Sequence, residues 1–195
     1  MKPGENIIVF ADRGLDILCE IVEIGKSNLI LKRKENIDID NEPQINLTAM
    51  IAITKGDNFG LVVQKLTELG VAKIVPIISD RTIKQSVKLE RLRAISDEAL
   101  ELCGGRRRVY IEEPKGLEES FKNIAKSAVY FDRDGTALSI FKENDLTMYI
   151  GPEGGWSERE IGLFKSNDIK SATLGKRTLR AETAAIVAAQ KILWN

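Results

Sequence analysis

The sequence predicts an α/β fold with a mainly parallel sheet, preceded by a small unit of β-structure, and three observations carry that expectation. From Ile45 onward, apolar runs of strand length alternate with segments whose apolar residues recur at helical spacing, as in a parallel sheet with crossover helices. Before that, short apolar runs are separated by turn residues and show no helical period. Between the two lies Glu35–Gln44 (ENIDIDNEPQ), polar and proline-containing, which reads as a linker. Two units are therefore expected, residues 1–44 and 45–195. A chain of 195 residues suits one domain with a small appendage.

The elements follow in order. Ile7–Phe10, Ile17–Ile24 and Leu29–Lys32 read as short strands, with turns at Asp12-Arg13-Gly14 and Gly25-Lys26-Ser27-Asn28. Asn46–Thr54 is an apolar strand. Asp57 is placed to cap a helix whose apolar face is Phe59, Val62, Val63, Leu66 and Leu69, ended by Gly70 as a left-handed cap. Lys73–Ser79 is the next strand. Leu89, Leu92, Ile95, Ala99 and Leu102 mark a second helix, stopped by Gly104-Gly105, and Val109–Ile111 follows as a strand. Leu117, Phe121 and Ile124 place a third helix. Ala128–Phe131 is a strand with a turn at Asp132–Gly135 after it. The run Leu146–Ile150 leads into IGPEGGWSEREI. There Ser157 and Glu160 form a capping box, and Trp156 with Ile161 a hydrophobic staple. Ala172–Leu174 is a short strand and Gly175–Leu179 a loop. The last helix, Arg180 to Leu193, is apolar nearly all round, so it is expected to be buried or packed on a second copy of the chain.

Composition narrows the chemistry. The chain has no histidine, which removes Ser-His and Cys-His nucleophile pairs and any imidazole-ligated metal. Acid–base work falls to carboxylates, lysines or a tyrosine. The two cysteines, Cys19 and Cys103, lack zinc-site spacing, and no metal is expected. No apolar run reaches membrane-spanning length and the N-terminus does not read as a signal peptide, so a cytoplasmic protein without membrane contact is expected. Net charge is zero, yet residues 80–108 hold eight Lys/Arg against five Asp/Glu, and residues 170–195 five against one. Such regions are compatible with solvated surface or with a local phosphate-binding face.

In open α/β sheets, ligands bind beyond the carboxyl ends of the strands. Two loops fit that place, Gly151–Trp156 and Gly175–Glu182 (GKRTLRAE). The first matches neither GxxxxGK[ST] nor GxGxxG, and its Glu153 would repel a phosphate chain. Its bare backbone and carboxylate suit a neutral or cationic ligand such as S-adenosylmethionine. A tight turn whose glycines only supply backbone freedom is the alternative.

At these residues the chain resembles a family. IGPEGGWSEREI and LGKRTLRAETAAIVAAQKIL look like the C-terminal signature of the RsmE family, SPOUT-superfamily methyltransferases acting on N3 of a uridine in 16S ribosomal RNA of the small subunit. KGDNFGLVVQKLTELGVAKIVPIISDRT resembles the first helix and second strand of that family's catalytic domain, and MKPGENIIVFADRG part of its N-terminal β-domain. The resemblance departs at Glu101-Leu102-Cys103-Gly104-Gly105-Arg106, where the family shows a Glu-Gln-Ser-Gly-Arg-like run, and by the same resemblance the sequence is expected to start within the β-domain.

The resemblance implies a trefoil-knotted SPOUT domain at residues 45–195, a truncated PUA-like β-domain at 1–44, S-adenosylmethionine as cofactor, and a homodimer acting on small-subunit ribosomal RNA. Cofactor contacts would fall on Phe131, Gly151, Pro152, Glu153, Gly154, Gly155, Leu174, Gly175, Arg177, Leu179 and Thr183. Arg180 is the candidate for charge stabilisation and Glu182 for the base, with favourable charge at a helix start as the alternative for Glu182. Arg106 and Arg107 are candidates for RNA phosphate contacts. Another RNA target, such as a ribose 2′-hydroxyl of tRNA, and a non-catalytic RNA-binding paralogue are the competing readings.

Overall fold

The computed structural model describes residues 1–11, 15–37, 41–55, 58–83, 86–125, 127–138 and 143–194. The expected Asp57 cap and the turn at residues 12–14 lie outside them. Strands β1 (Asn6–Ala11), β2 (Leu15–Ile24) and β3 (Leu29–Ile37) form an antiparallel sheet in chain order. β3 runs to Ile37, so the expected linker starts inside a strand.

The second sheet is parallel throughout, in the order β10-β8-β9-β4-β5-β6, with β7 also pairing β5. Its strands are β4 (Asn46–Ala52), β5 (Lys73–Ile78), β6 (Tyr110–Ile111), β7 (Lys115–Gly116), β8 (Ser127–Ala137), β9 (Asp145–Ile150) and β10 (Lys170–Thr173). The helices are α1 (Asn58–Glu68), α2 (Leu89–Cys103), α3 (Leu117–Ser120), α4 (Glu158–Ser166) and α5 (Ala181–Leu193).

Why these runs read as continuous apolar segments is clear from their neighbours: helices cover both faces of the sheet. Ala49, Ile51, Val129, Phe131, Met148 and Ile150 pack with Phe59 and Val62 of α1, Leu92 of α2 and Ala185 and Ala189 of α5. The alternate residues Met50, Tyr130 and Tyr149 point to the other face, against Leu117, Trp156 and Phe164. There Phe164 stacks on Tyr130 at 4.4 Å and meets Tyr149 and Trp156 edge-on at 5.1 and 4.9 Å. Gly70 takes the left-handed conformation expected of it, with φ of 83°.

Two expectations change. The third helix is a single turn, Leu117–Ser120, followed by a 3-10 turn to Asn123; Ile124 is already extended. The Ser120 hydroxyl donates to the Leu117 carbonyl at 2.6 Å, a local bond that competes with helix continuation. The turn at Asp132–Gly135 is instead an excursion within β8, which pairs Tyr130 with Ser171 and then Thr136 with Ala172. Residues 131–135 thus bow out around β10. A Cβ on Gly135 would lie 2.4 Å from the Ala172 carbonyl carbon, so only glycine allows this crossing.

Candidate active site

β8, β9 and β10 end side by side, and a cavity of about 450 Å³ opens at their carboxyl ends. Gly151–Trp156 forms one wall and Leu174–Leu179 the other, with Phe131 at the floor. Of the expected cofactor contacts, Phe131, all of Gly151–Gly155, Leu174, Gly175, Arg177 and Leu179 line it. Thr183 does not. It lies on the exposed side of α5, and Ala181 and Ala184, one helical turn apart, take the lining positions.

The first wall is held from several directions. Gly155 donates to the Pro152 carbonyl at 2.8 Å, closing a turn with Gly155 at φ of 69°. The Trp156 indole N–H donates to the Phe131 carbonyl at 3.1 Å, tying the loop to the end of β8. Lys55 N–H donates to Glu153 Oε1 at 3.2 Å. The capping box forms as expected, and its buried Glu160 also accepts from the Asp80 N–H at 2.9 Å. Asp80 in turn accepts from the Ser157 hydroxyl and from Arg159, each at 2.5 Å. The Arg159 guanidinium and then the Ser157 hydroxyl hold the Asp80 carboxyl below its usual range.

Arg81, absent from the expected contacts, lines the cavity and donates to the Gly154 carbonyl at 2.6 Å. Its position just past β5, at the same sheet end, was the available signal. Asp132, Arg133 and Asp134 also line the cavity.

The second wall is tied down mainly by Thr173, whose hydroxyl lies 3.2 Å from both the Arg133 and Gly175 carbonyls. Arg180 and Glu182 sit at its exit, outside the cavity lining. The Arg180 side chain is 82% exposed and the Glu182 side chain 11%, with 4.0 Å between guanidinium and carboxylate. The Asn58 amide is 3.5 Å from Glu182 Oε1. In the core behind the site, burial pushes the Tyr149 phenol up to about 12.

Arg106 and Arg107, the expected RNA contacts, are both bonded within the chain. Arg106 is buried and pairs with Asp16 of β2 at 3.2 Å, both side chains 5% exposed, and it also donates to the Ile37 carbonyl. Arg107 donates to Asn46 Oδ1 at 2.5 Å and to the Gly70 carbonyl at 3.3 Å. The two backbone N–H groups share Glu42 Oε1. This run joins the antiparallel sheet to the parallel one, and its charge is used inside the molecule. Among the described residues no group of acidic, Cys or His side chains has metal-site geometry, and no helix is long and apolar enough to cross a membrane.

A family model described as an RNA methyltransferase domain matches residues 40–193. The ribosomal RNA small subunit methyltransferase E of Rickettsia conorii is 31% identical over 202 residues, covering 98% of this chain and 82% of the relative. That of Bacillus subtilis is 27% identical, covering 100% and 84%. Among solved structures, the ribosomal RNA small subunit methyltransferase E of Neisseria gonorrhoeae, bound to S-adenosyl methionine, superposes with a TM-score of 0.91 at 29% identity, covering 100% of this chain and 85% of that one. With most of its length matched by the family model and by these relatives, the chain belongs to the RsmE family of ribosomal RNA methyltransferases.

Proposed function

We propose that this chain is an S-adenosylmethionine-dependent methyltransferase that methylates N3 of a uridine in 16S ribosomal RNA, acting in the cytoplasm. The observation that carries this reading is the cavity at the ends of β8, β9 and β10, in a chain whose relatives are named ribosomal RNA small subunit methyltransferase E and one of whose structural neighbours is bound to S-adenosyl methionine. The site's chemistry fits the cofactor. Its size is that of a small-molecule site, and bare backbone at Gly151, Gly154 and Gly155 leaves room for close approach. Asp132, Asp134 and Glu153 supply negative charge around a cationic ligand.

When bound, S-adenosylmethionine supplies an electrophilic methyl group on its sulfonium sulfur. The chain's own residues do the rest. The two loops hold the cofactor, and Leu174 and Leu179 exclude water from one side. Glu182 takes the N3 proton, and the neighbouring Asn58 amide and Arg180 keep its carboxylate in place. Arg180 stabilises the negative charge left on the uracil ring. Positioning supplies much of the remaining rate.

The same reading divides the chain at residues 44/45 into a PUA-like unit and a SPOUT unit. The bowing of residues 131–135 around β10 supports a chain threaded as a trefoil knot. A homodimer is supported by half-buried Ile186 and Val187 on α5 and by exposed Trp194 at the end of that helix.

The test is to incubate the wild-type chain with S-adenosylmethionine and small ribosomal subunits or tRNA, and then to map the modified nucleotide. Methyl on uridine N3 of small-subunit RNA is the expected result. Methyl on a ribose hydroxyl, or no transfer at all, overturns the reading.

A further inference from the structure

The run Arg106–Arg108 reads as a basic surface in the sequence, but its charges are engaged within the chain: Arg106 with Asp16, Arg107 with Glu42 and Asn46, and Arg108 with Asp97. The cations at the cavity mouth are placed differently. Lys176 and Arg177 are exposed and have no ion pair among the described residues. Arg133 has a 67% exposed side chain and only a 3.9 Å contact, to the still more exposed Asp134. The Thr173 hydroxyl, 3.2 Å from the carbonyls of both Arg133 and Gly175 and able to donate to either, brings these two segments together. Asp132 is turned toward its own neighbour and accepts the Arg133 N–H at 2.6 Å.

We infer that Arg133, Lys176 and Arg177 form a clamp for the phosphates of an unpaired RNA strand at the mouth of the cavity. This rests on the uridine-N3 reading proposed above. N3 lies on the Watson–Crick edge of uracil, so the target base must be unpaired before it can be methylated. The flanking phosphates of such a strand come to the rim of the site, and exposed cations there gain by replacing their counterions. Arg133 and Arg177 line the cavity, and Lys176, next to Arg177, extends the clamp outward.

The experiment measures binding of a short single-stranded RNA with a central uridine by fluorescence anisotropy, across a series of salt concentrations. The proteins are the wild type, Lys176→Gln, Arg133→Gln, the double variant, and Arg108→Gln as a control on the other basic segment. Each clamp substitution is expected to weaken binding several-fold at low salt. Each should also lower the slope of log affinity against log salt by about 0.7, one phosphate contact on a single strand, and the double variant by about twice that. Arg108→Gln should match the wild type, and the same RNA annealed into a duplex should bind more weakly. A double variant with wild-type affinity and slope overturns the inference, as does an equal loss in Arg108→Gln or equal binding of the duplex. Loss of the uridine-N3 reading is seen separately, as absent methyl transfer by the wild type with the RNA bound normally. Calorimetry with S-adenosylmethionine on Lys176→Gln distinguishes a misfolded variant, because the cofactor should bind it as it binds the wild type.

Discussion

The two walls of the cavity are built from the same materials, glycine and a following helix, yet they are held to very different degrees. Gly151–Trp156 is tied to β8 through the Trp156 indole, to the β5 turn through Arg81 and Asp80, and to the segment after β4 through Lys55. The helix behind it starts with a complete capping box. Leu174–Arg180 has the Thr173 hydroxyl at its base, and α5 begins after Arg180, which gives it no side-chain cap. The site thus pairs a preformed wall with one that has few internal bonds and exposes its cations. Few bonds mean low local stability, which suits a segment that adjusts to a ligand.

What the second wall does have is a fixed origin, the passage of β10 past Gly135. Gly135→Ala places a methyl 2.4 Å from Ala172 backbone, which neither strand can yield easily. It should therefore have the largest effect, a loss of about 3 kcal/mol in urea unfolding. An unchanged unfolding midpoint would show that the second wall does not depend on this crossing. Arg180→Ala tests the exposed end of the same wall. With its side chain 82% exposed, the change should leave stability alone and lower kcat about a hundredfold, roughly 2.7 kcal/mol of transition-state stabilisation. A kcat near wild type in single-turnover methyl transfer would remove Arg180 from the chemistry.

The preformed wall was also the more legible one. Ser157 and Glu160 announce their cap in four residues, and β4, β5 and β9 announce themselves as apolar runs because both of their faces are buried. Local rules reach that far. They do not reach Arg81, whose bond to Gly154 joins residues 73 apart in sequence. Nor do they show that Thr183 faces solvent while Ala184 faces the cavity, a matter of helix phase. The buried member of the arginine run was hidden for a related reason. Arg106 reads like its neighbours until Asp16, an acid inside an apolar strand, supplies the buried partner. An inward-facing acid in LDILCEI was a usable hint, since carboxylates are seldom buried unpaired.

Gly154→Val probes the preformed wall itself. The nearest atoms to a new Cβ are Arg81 Cδ at 3.3 Å and Cβ at 3.6 Å, the flexible part of a side chain. The fold should accommodate the change, but the branched side chain enters the cavity proposed to hold the cofactor. S-adenosylmethionine should bind at least about tenfold more weakly, or roughly 1.4 kcal/mol, by calorimetry. Unchanged affinity with a normal unfolding curve would mean that this wall does not contact the cofactor.

The smallest effect is expected at the outer tie of that wall, Asp80→Asn. Asp80 is bonded to Arg159 and Ser157, but the pair is partly exposed, 33% for Asp80 and 55% for Arg159, so the loss should stay below about 1 kcal/mol. Its pH dependence has a definite sign. The folded carboxyl titrates below the ordinary 3.8, so folding favours the ionised form. That contribution is complete above 3.8 and is lost as pH falls through the lower folded value. Wild type and variant should therefore differ most at neutral pH and converge in acid. Urea midpoints measured from neutral pH down into the acid range give the check. A difference that stays constant over that range would show that the Asp80 charge does not help to hold the loop.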